Sequence, residues 1–377
     1  MTGVDRQTFL RAVGLGVAAA ALAGPPAAAV AAPGTRPLLI GTYTDGPNAG
    51  KGVTLGGWQP STGVVTAGDV LAVANPSFFA RSPMGGHVYA VDEQGDGRVT
   101  ALAVSRARLE VVNSQSSMGA GPTHLCVAPG GRHLLTANYD SGSVAVHPIA
   151  ADGSLLPASD LVQHTGSGPD PDRQRGPHAH QVTPDPVGEY LHAVDLGTDS
   201  VYAYRLDPET GRLALHHQAR LPAGSGPRHV AFHPTSRFAY VACELGNIVS
   251  VCSYRDGVLT AVREVPATTV DVPGVRNYPA EILVSADGRH VYLSNRGADS
   301  VAVFAVAADG GLMPLTAPSC GGSWPRHIGL DPTGQYLFCA NQNSGTVTSF
   351  AVDPVAGGLT PVGTPLATPS PVCTLAL

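Results

Sequence analysis

The chain has 377 residues, a formal net charge of −6 and a single lysine, Lys51. The 22 Lys and Arg are outnumbered by 28 Asp and Glu and form no positive stripe that would neutralise phosphates, which excludes nucleic acid as an expected partner. The 46 glycines and 33 prolines are typical of a fold with a tight turn about every dozen residues.

The first 32 residues have the pattern of an export signal. Arg6 and Arg11 are followed by an alanine-rich run from 12 to 23 and by the small residues 29–31. This order is typical of a secretory signal, and the apolar run is too short to span a membrane. The segment resembles a twin-arginine signal in which Gln7 replaces the second arginine, which leaves the route of export open. We predict a signal peptide over 1–32 and a mature protein exported to the cell envelope or medium, without membrane association after cleavage.

The mature part has the short apolar segments of an all-β protein. Runs such as Phe238 to Cys243 are rich in aromatic and small apolar residues and end at turn residues, and the helical period is absent after the leader. The first two predicted strands are Leu38 to Tyr43 and Gly50 to Val53.

One pattern then recurs six times, starting at Phe78, His124, His180, His229, Glu281 and His327. The starts are 46, 56, 49, 52 and 46 residues apart, which is the period of a four-stranded β-propeller blade. In an antiparallel pair, the start of the first strand lies beside the end of the second. Because the first strand of each blade lines the central channel, the pattern predicts a ring of polar side chains at one mouth of that channel.

The two ends of the mature chain explain how the ring closes. One further period places Cys373 in a segment, 370–377, with room for a single strand, whereas the N-terminal strands lack an inner neighbour. We predict that the C-terminal strand completes the N-terminal blade, which gives a seven-bladed propeller over residues 38–377.

Two other features bear on metals and redox chemistry. The six cysteines include no Cys-x-x-Cys motif, so neither a zinc site nor a redox pair is indicated. Most of them lie in apolar strand runs, for which we predict buried free thiols over disulfide bridges, although the sequence alone does not fix the pairing. The Gly- and Pro-rich segment 166–176 is predicted to be a flexible lid over the ring. Its Asp170 and Asp172 suggest a calcium loop as an alternative, but the ligand spacing is incomplete. We expect no metal and no cofactor.

Several motifs resemble the seven-bladed lactonase family, which holds the propeller-type 6-phosphogluconolactonases and the fungal 3-carboxy-cis,cis-muconate lactonizing enzyme. The resemblance runs from about residue 38 to the end of the chain. The motifs are Ile40-Gly41-Thr42-Tyr43-Thr44, Pro177-His178-Ala179-His180, Asp195-Leu196-Gly197-Thr198-Asp199, Gly226-Pro227-Arg228-His229, Glu244-Leu245, Tyr278-Pro279-Ala280-Glu281-Ile282 and Ser294-Asn295-Arg296-Gly297.

The resemblance implies a catalytic set of His180, Arg228, Glu244 and Arg296, all of which fall on ring positions of the repeat. Opening a lactone requires a base that activates water and a positive charge where the carbonyl oxygen becomes anionic. We expect His180 to transfer the proton, with Glu244 as its base partner or orienting group. The two arginines would hold the oxyanion or a substrate carboxylate or phosphate.

The remaining ring positions are predicted to contact substrate or to support the site: His124, Tyr139, Asp195, His229, Glu281, Asn295, Arg326, His327 and Gln342. Structural roles compete with this interpretation. The histidines would then tie blades together, Arg228 and Glu244 would form a structural ion pair, and the asparagines would cap turns. His147 and the histidines at 216, 217 and 233 are expected to be solvated.

The sequence thus predicts an exported, metal-independent monomeric lactone hydrolase that acts on a small polar or anionic lactone. Cytosolic 6-phosphogluconolactone would rarely meet an exported enzyme. The alternatives are a muconate-type cycloisomerase and a non-catalytic propeller that binds a glycan or protein at its channel mouth. The intact set of four residues favours an enzyme over a binding module.

Overall fold

The computed structural model describes residues 34–46, 48–105 and 108–377, so the predicted signal peptide lies outside the described residues. In this part of the chain, all the regular secondary structure is β-strand, and the strands form seven four-stranded antiparallel sheets. No helix of the described residues has the length and hydropathy needed to cross a membrane.

Each sheet is one blade, and its four strands follow one another from the channel outward. Blade 1 consists of β28 (Pro371–Ala376), β1 (Arg36–Thr42), β2 (Val53–Trp58) and β3 (Val65–Leu71). Blade 2 consists of β4 (Phe79–Arg81), β5 (His87–Asp92), β6 (Arg98–Val104) and β7 (Leu109–Ser116). Blade 3 consists of β8 (Pro122–Val127), β9 (His133–Asn138), β10 (Ser143–Pro148) and β11 (Asp160–Gln163). Blade 4 consists of β12 (Ala179–Pro184), β13 (Leu191–Asp195), β14 (Ser200–Asp207) and β15 (Arg212–Arg220).

The last three blades follow the same order. Blade 5 consists of β16 (Pro227–Phe232), β17 (Phe238–Cys243), β18 (Ile248–Arg255) and β19 (Val258–Pro266). Blade 6 consists of β20 (Tyr278–Val284), β21 (His290–Arg296), β22 (Ser300–Val306) and β23 (Leu312–Thr316). Blade 7 consists of β24 (Pro325–Leu330), β25 (Tyr336–Asn341), β26 (Thr346–Val352) and β27 (Leu359–Ala367).

The hydrophobic core lies between blades rather than at the centre of the molecule. Each apolar cluster joins two neighbouring blades, and the ring closes where Leu38, Ile40 and Trp58 of blade 1 pack against Phe338 and Val347 of blade 7. A blade therefore buries both faces only when it has a neighbour on each side, so an open array would expose apolar surface.

The predicted closure is confirmed. Strand β28 pairs antiparallel with β1, with Leu38 opposite Ala376 and Gly41 opposite Cys373. Blade 1 also contains β3, a third N-terminal strand that the sequence analysis missed. The fold class, a seven-bladed all-β propeller completed by its C-terminal strand, is as predicted.

A register shift recurs at the start of the innermost strands. In β16, Pro227 is opposite Cys243 and His229 is opposite Ala242, so Arg228 is an additional residue. The same shift occurs at Thr123, His180 and Arg326 in three other blades. In β20 it leaves Ala280 and Glu281 unpaired. Such bulges bend a strand and redirect a side chain, which here places polar residues at the channel wall.

Two expectations for individual side chains have different outcomes. The six cysteines are buried and unpaired, as predicted. The expectation that His147 is solvated is wrong, because it is fully buried and its Nε2 lies 2.8 Å from the carbonyl oxygen of Ser116. Its position on β10 makes it part of the contact with the end of β7.

Deleting residues 370–377 is expected to unfold the mature protein rather than to shorten it. The deletion removes β28, exposes the edge of β1 and opens the contact between blades 1 and 2 that contains Cys373. Circular dichroism during heating would measure the effect. A shortened protein that keeps the melting temperature of the parent would contradict this closure.

Candidate active site

The starts of the innermost strands surround a narrow cavity of about 10 Å³ at the centre of the ring, which is room for about one water molecule. Six of the predicted site residues line it: His180, Arg228, His229, Glu281, Arg326 and His327. Ser77, Phe78, Thr123 and Val372 complete the wall. Residues that are far apart in the chain meet here because each blade contributes the start of its innermost strand.

A cluster of arginines around Glu244 adjoins this cavity. Glu244 follows β17 directly, and its Oε2 lies 2.6 Å from Nη2 of Arg296 and 3.4 Å from Nε of Arg228. Its Oε1 accepts a hydrogen bond of 2.9 Å from Nη2 of Arg173. Burial raises the pKa of Glu244, but the guanidinium groups outweigh that effect and hold it at about 2. Glu244 is therefore an ionised anchor for arginines at neutral pH and a weak base.

Arg228 is the least satisfied of these cations. It is 3% exposed, and its Nε and Nη1 have no hydrogen-bond partner among the described residues. Burial, with Arg296 and Arg326 nearby, lowers its pKa to about 9. Buried donors without partners are costly, and an anion that accepts their hydrogen bonds would stabilise this side chain.

Two more arginines near the cavity, Arg296 and Arg326, are held by aromatic rings and by hydrogen-bond or ion-pair partners. Arg296 donates to the carbonyl oxygens of Tyr278 and Pro279, and its guanidinium carbon lies 5.6 Å from the ring centre of Trp324. Arg326 lies 5.2 Å from the ring centre of Tyr43, and its Nη2 is 3.5 Å from Glu93. These contacts fix both positive charges at the edge of the channel.

His180 borders the cavity without the predicted partner. Glu244, the group expected to orient it, bonds instead to Arg173 and Arg296. The Nδ1 of His180 is buried and has no partner among the described residues, and its ring packs edge-on against Tyr139 and His229. Burial, and then Arg228, lower its pKa well below its ordinary value, so the imidazole is neutral at pH 7.

A second acidic group faces the cavity from blade 6. Glu281 Oε1 lies 3.0 Å from Nδ1 of His229, and Glu281 Oε2 lies 3.8 Å from Nε2 of His327. The ring of His124 packs at a tilt against Phe78, with centres 3.9 Å apart, and meets His229 edge-on. Together with His180, these imidazoles form one buried cluster, because four inner strands each contribute one of them.

Three more predicted residues, besides Glu244, Arg296, His124 and Tyr139, lie outside the cavity wall. The carboxylate of Asp195 is fully buried. It accepts hydrogen bonds from the imidazole of His164 and from the backbone N–H groups of His178 and Thr198. The side chain of Asn295 donates a hydrogen bond to the carbonyl oxygen of Ala267. The backbone N–H of Gln342 donates to the carbonyl oxygen of Trp324. Asp195 and Asn295 therefore support the loops around the site.

The sequence analysis missed Arg173. Its segment, 166–176, was predicted to be a flexible lid over the ring. The segment contacts the ring through Arg173, which donates to the hydroxyl of Tyr139 and to Glu244. The neighbouring Arg175 is largely exposed, and only the turn geometry decides which arginine faces inward. The segment is also bonded in place rather than free, because Gln174 is fully buried and donates to Leu196 and Asp199.

The acidic residues of that segment have local roles. The Asp170 carboxylate accepts the backbone N–H groups of Asp172 and Arg173, which closes the turn that presents Arg173. Within the described residues, no group of three or more His, Cys, Asp or Glu side chains is arranged to hold a metal ion.

Replacing Glu244 by Gln is expected to destabilise the protein by about 3–5 kcal/mol at pH 7, because buried arginines lose their counter-charge. The pKa of Glu244 lies below its ordinary value of 4.5. Above pH 4.5, ionised Glu244 therefore makes its full contribution of about 3 kcal/mol to the free energy of unfolding. This contribution is lost as the pH falls toward 2.

Urea unfolding between pH 7 and pH 3 would measure this effect. The Glu244→Gln variant should be less stable at pH 7 and should lose less stability on acidification than the parent. Glu110→Gln, which removes an exposed partner of Arg108, is the matched control and should follow the parent. Parallel pH curves for the parent and Glu244→Gln would refute the assigned charge state.

The comparisons with known proteins agree with this fold. The family model "Lactonase, 7-bladed beta-propeller" matches residues 37–376. The chain is 36% identical to a 6-phosphogluconolactonase of Bacillus subtilis over 307 residues, which cover 80% of this chain and 87% of the relative. It is 33% identical to a 6-phosphogluconolactonase of Pectobacterium carotovorum over 278 residues, which cover 73% of this chain and 76% of the relative.

Solved structures give the same result. The periplasmic gluconolactonase of Pseudomonas aeruginosa superposes with a TM-score of 0.83 and 31% identity, over 91% of this chain and 99% of that one. Because the family model spans nearly all of the described chain, this protein belongs to the seven-bladed β-propeller lactonase family, a family of lactone hydrolases.

Proposed function

We propose that this protein is an exported, metal-independent lactonase that hydrolyses a small anionic or polar lactone of the sugar-lactone type. The observation that carries the proposal is the buried guanidinium of Arg228 beside a cavity lined by imidazoles. Among the described residues its Nε and Nη1 have no hydrogen-bond partner, although Nε lies 3.4 Å from Glu244. Hydrolysis of a lactone develops negative charge on the carbonyl oxygen and leaves a carboxylate. The site offers fixed donors for both species.

The chemistry follows from the positions of these groups. Arg228 would receive the developing oxyanion, and a neutral cavity imidazole, for which the sequence suggested His180, would take the proton from the attacking water. Glu244 holds Arg296 and Arg173 in place and partly neutralises Arg228. Because these charges are already fixed and desolvated, little reorganisation is needed when the oxyanion forms.

Export and metal independence rest on separate observations. The pattern of residues 1–32 is that of a secretory signal, and one of the solved relatives is named a periplasmic gluconolactonase. An exported enzyme would meet unphosphorylated sugar lactones more often than cytosolic phosphate esters. Arginines supply the positive charge that a metal ion provides in other hydrolases, which supports a mechanism without metal.

Replacing Arg228 or Arg296 by Ala is expected to lower kcat/KM about a hundredfold, or about 3 kcal/mol, because each substitution removes positive charge that stabilises the oxyanion. Steady-state hydrolysis of the best lactone would measure this effect. Arg263→Ala, which removes an exposed arginine paired with Asp309, is the control and should behave as the parent. Variants at 228 or 296 within a factor of two of the parent would remove these arginines from the mechanism.

A substrate panel would define the reaction itself. We expect the mature protein to open gluconolactone and related sugar lactones, at rates unchanged by a chelator, and to leave carboxymuconate unreacted. Pre-incubation with a strong chelator followed by the same assay tests the metal-free scheme, which loss of turnover would overturn. Turnover of carboxymuconate alone would indicate a cycloisomerase. Binding without turnover of any compound would indicate a non-catalytic propeller.

A further inference from the structure

The cavity contains a carboxylate–imidazole pair distinct from the cluster around Glu244. His229 and Glu281 lie on the inner strands of neighbouring blades 5 and 6, and their side chains are 2% and 5% exposed. Glu281 Oε1 is 3.0 Å from Nδ1 of His229. The other ring nitrogen, Nε2, is buried and has no hydrogen-bond partner among the described residues. Both residues line the cavity.

We propose that His229, oriented by Glu281, is the general base that removes a proton from the attacking water, an inference that rests on the lactonase function proposed above. Burial raises the pKa of Glu281, while His327 and Arg228 act in the opposite direction. In its ionised form the carboxylate can only accept a hydrogen bond, so Nδ1 of His229 then carries the proton and the unpartnered Nε2 keeps its lone pair. A base held by an acidic partner is the arrangement that hydrolytic sites use to fix a tautomer and to stabilise the imidazolium that forms.

The other imidazoles of the cavity lack this arrangement. His180 has no acidic hydrogen-bond partner among the described residues, since Glu244 is bonded to arginines. His124 packs against Phe78, and its Nδ1 has no hydrogen-bond partner among the described residues. His327 faces Thr374 at 3.4 Å through Nδ1, and its Nε2 is 3.8 Å from Glu281, which is too far for a strong hydrogen bond.

The reaction balances with these groups alone. The oxygen of water bonds to the lactone carbonyl carbon as its proton moves to Nε2 of His229, and the oxyanion forms beside Arg228. When the ring C–O bond breaks, the departing oxygen takes a proton from the His229 imidazolium. The products are a hydroxy acid and a neutral His229. His180 is left as a hydrogen-bond donor to the substrate.

The charges around the pair favour a neutral His229 at pH 7. The groups that face it are Arg228 beside it on β16, His124 on β8, His180 on β12, Glu281 on β20, Arg296 on β21, Arg326 and His327 on β24, and Glu244 after β17. Burial, and then the arginines, lower the pKa of His229 well below its ordinary value. The base should therefore be unprotonated at neutral pH, and kcat should fall when acid protonates the pair.

Kinetics of three variants on the lactone that the parent hydrolyses best would test the assignment. We expect His229→Gln to lower kcat about 10²–10⁴-fold with KM within a factor of three. Glu281→Gln should lower kcat about tenfold or more and shift the acid limb of the pH–rate profile to lower pH, because the imidazolium loses its counter-charge.

His147→Gln is the matched control. It removes another fully buried imidazole, whose Nε2 lies 2.8 Å from the carbonyl oxygen of Ser116, outside the cavity. This variant is expected to lose stability but to keep the kcat and pH profile of the parent. Thermal unfolding of all variants identifies any that fail to fold. A folded His229→Gln variant with kcat within threefold of an active parent would overturn the assignment and leave the lactonase function intact.

The tautomer gives a readout that does not depend on turnover. Nitrogen–proton NMR of parent protein with ¹⁵N-labelled histidine should show His229 at pH 7 with a protonated Nδ1 and an unprotonated Nε2, with the signal assigned from its loss in His229→Gln. A protonated Nε2 would overturn the assignment even where the parent is active. If the parent shows the predicted tautomer but turns over no lactone, the geometry of the His229–Glu281 pair is supported and the proposed function is wrong.

Discussion

The bulge at the start of the innermost strands is the constraint on which the site depends. In blades 3, 5, 6 and 7 a proline at or near the strand start precedes a register shift. The next residue, or the next two residues in blade 6, therefore has no partner in the ladder. Proline has no N–H to donate, which suits the first residue of a strand. The bulged segments line the axis of the ring, where a small buried volume receives side chains from several blades. Without the shift, Arg228 would occupy an ordinary ladder position.

The electrostatics of the channel follow from that convergence. Guanidinium groups from three inner positions and from segment 166–176 share few carboxylates, and Glu244 alone contacts Arg173, Arg228 and Arg296. Burying charge is costly unless it is paired, and the packing between blades is what keeps these arginines close together. The cluster therefore retains unsatisfied donors on Arg228, which is the kind of preorganised positive site that favours an oxyanion over a neutral carbonyl.

Loops supported by buried polar residues complete the wall of the site. Asp199, which follows β13, accepts from Gln174 of segment 166–176 and from the backbone N–H groups of Gly224 and Gly226 just before β16. One carboxylate thus connects the segment that carries Arg173 with the strand that carries Arg228. Family members share the propeller, and such connecting segments are where enzymes built on one scaffold differ in selectivity.

The sequence by itself determined the repeat period, the all-β class and the closure of blade 1 by the last strand, because each depends on spacing along the chain. It also indicated that His180, Arg228, Glu244 and Arg296 lie near one another. Only the tertiary structure decided that Glu244 bonds to arginines rather than to His180, that Arg173 faces inward while Arg175 does not, and that Glu281 pairs with His229. A side chain changes face when the register shifts by one residue. The partners across the channel come from different blades, so three-dimensional packing selects them and local sequence does not.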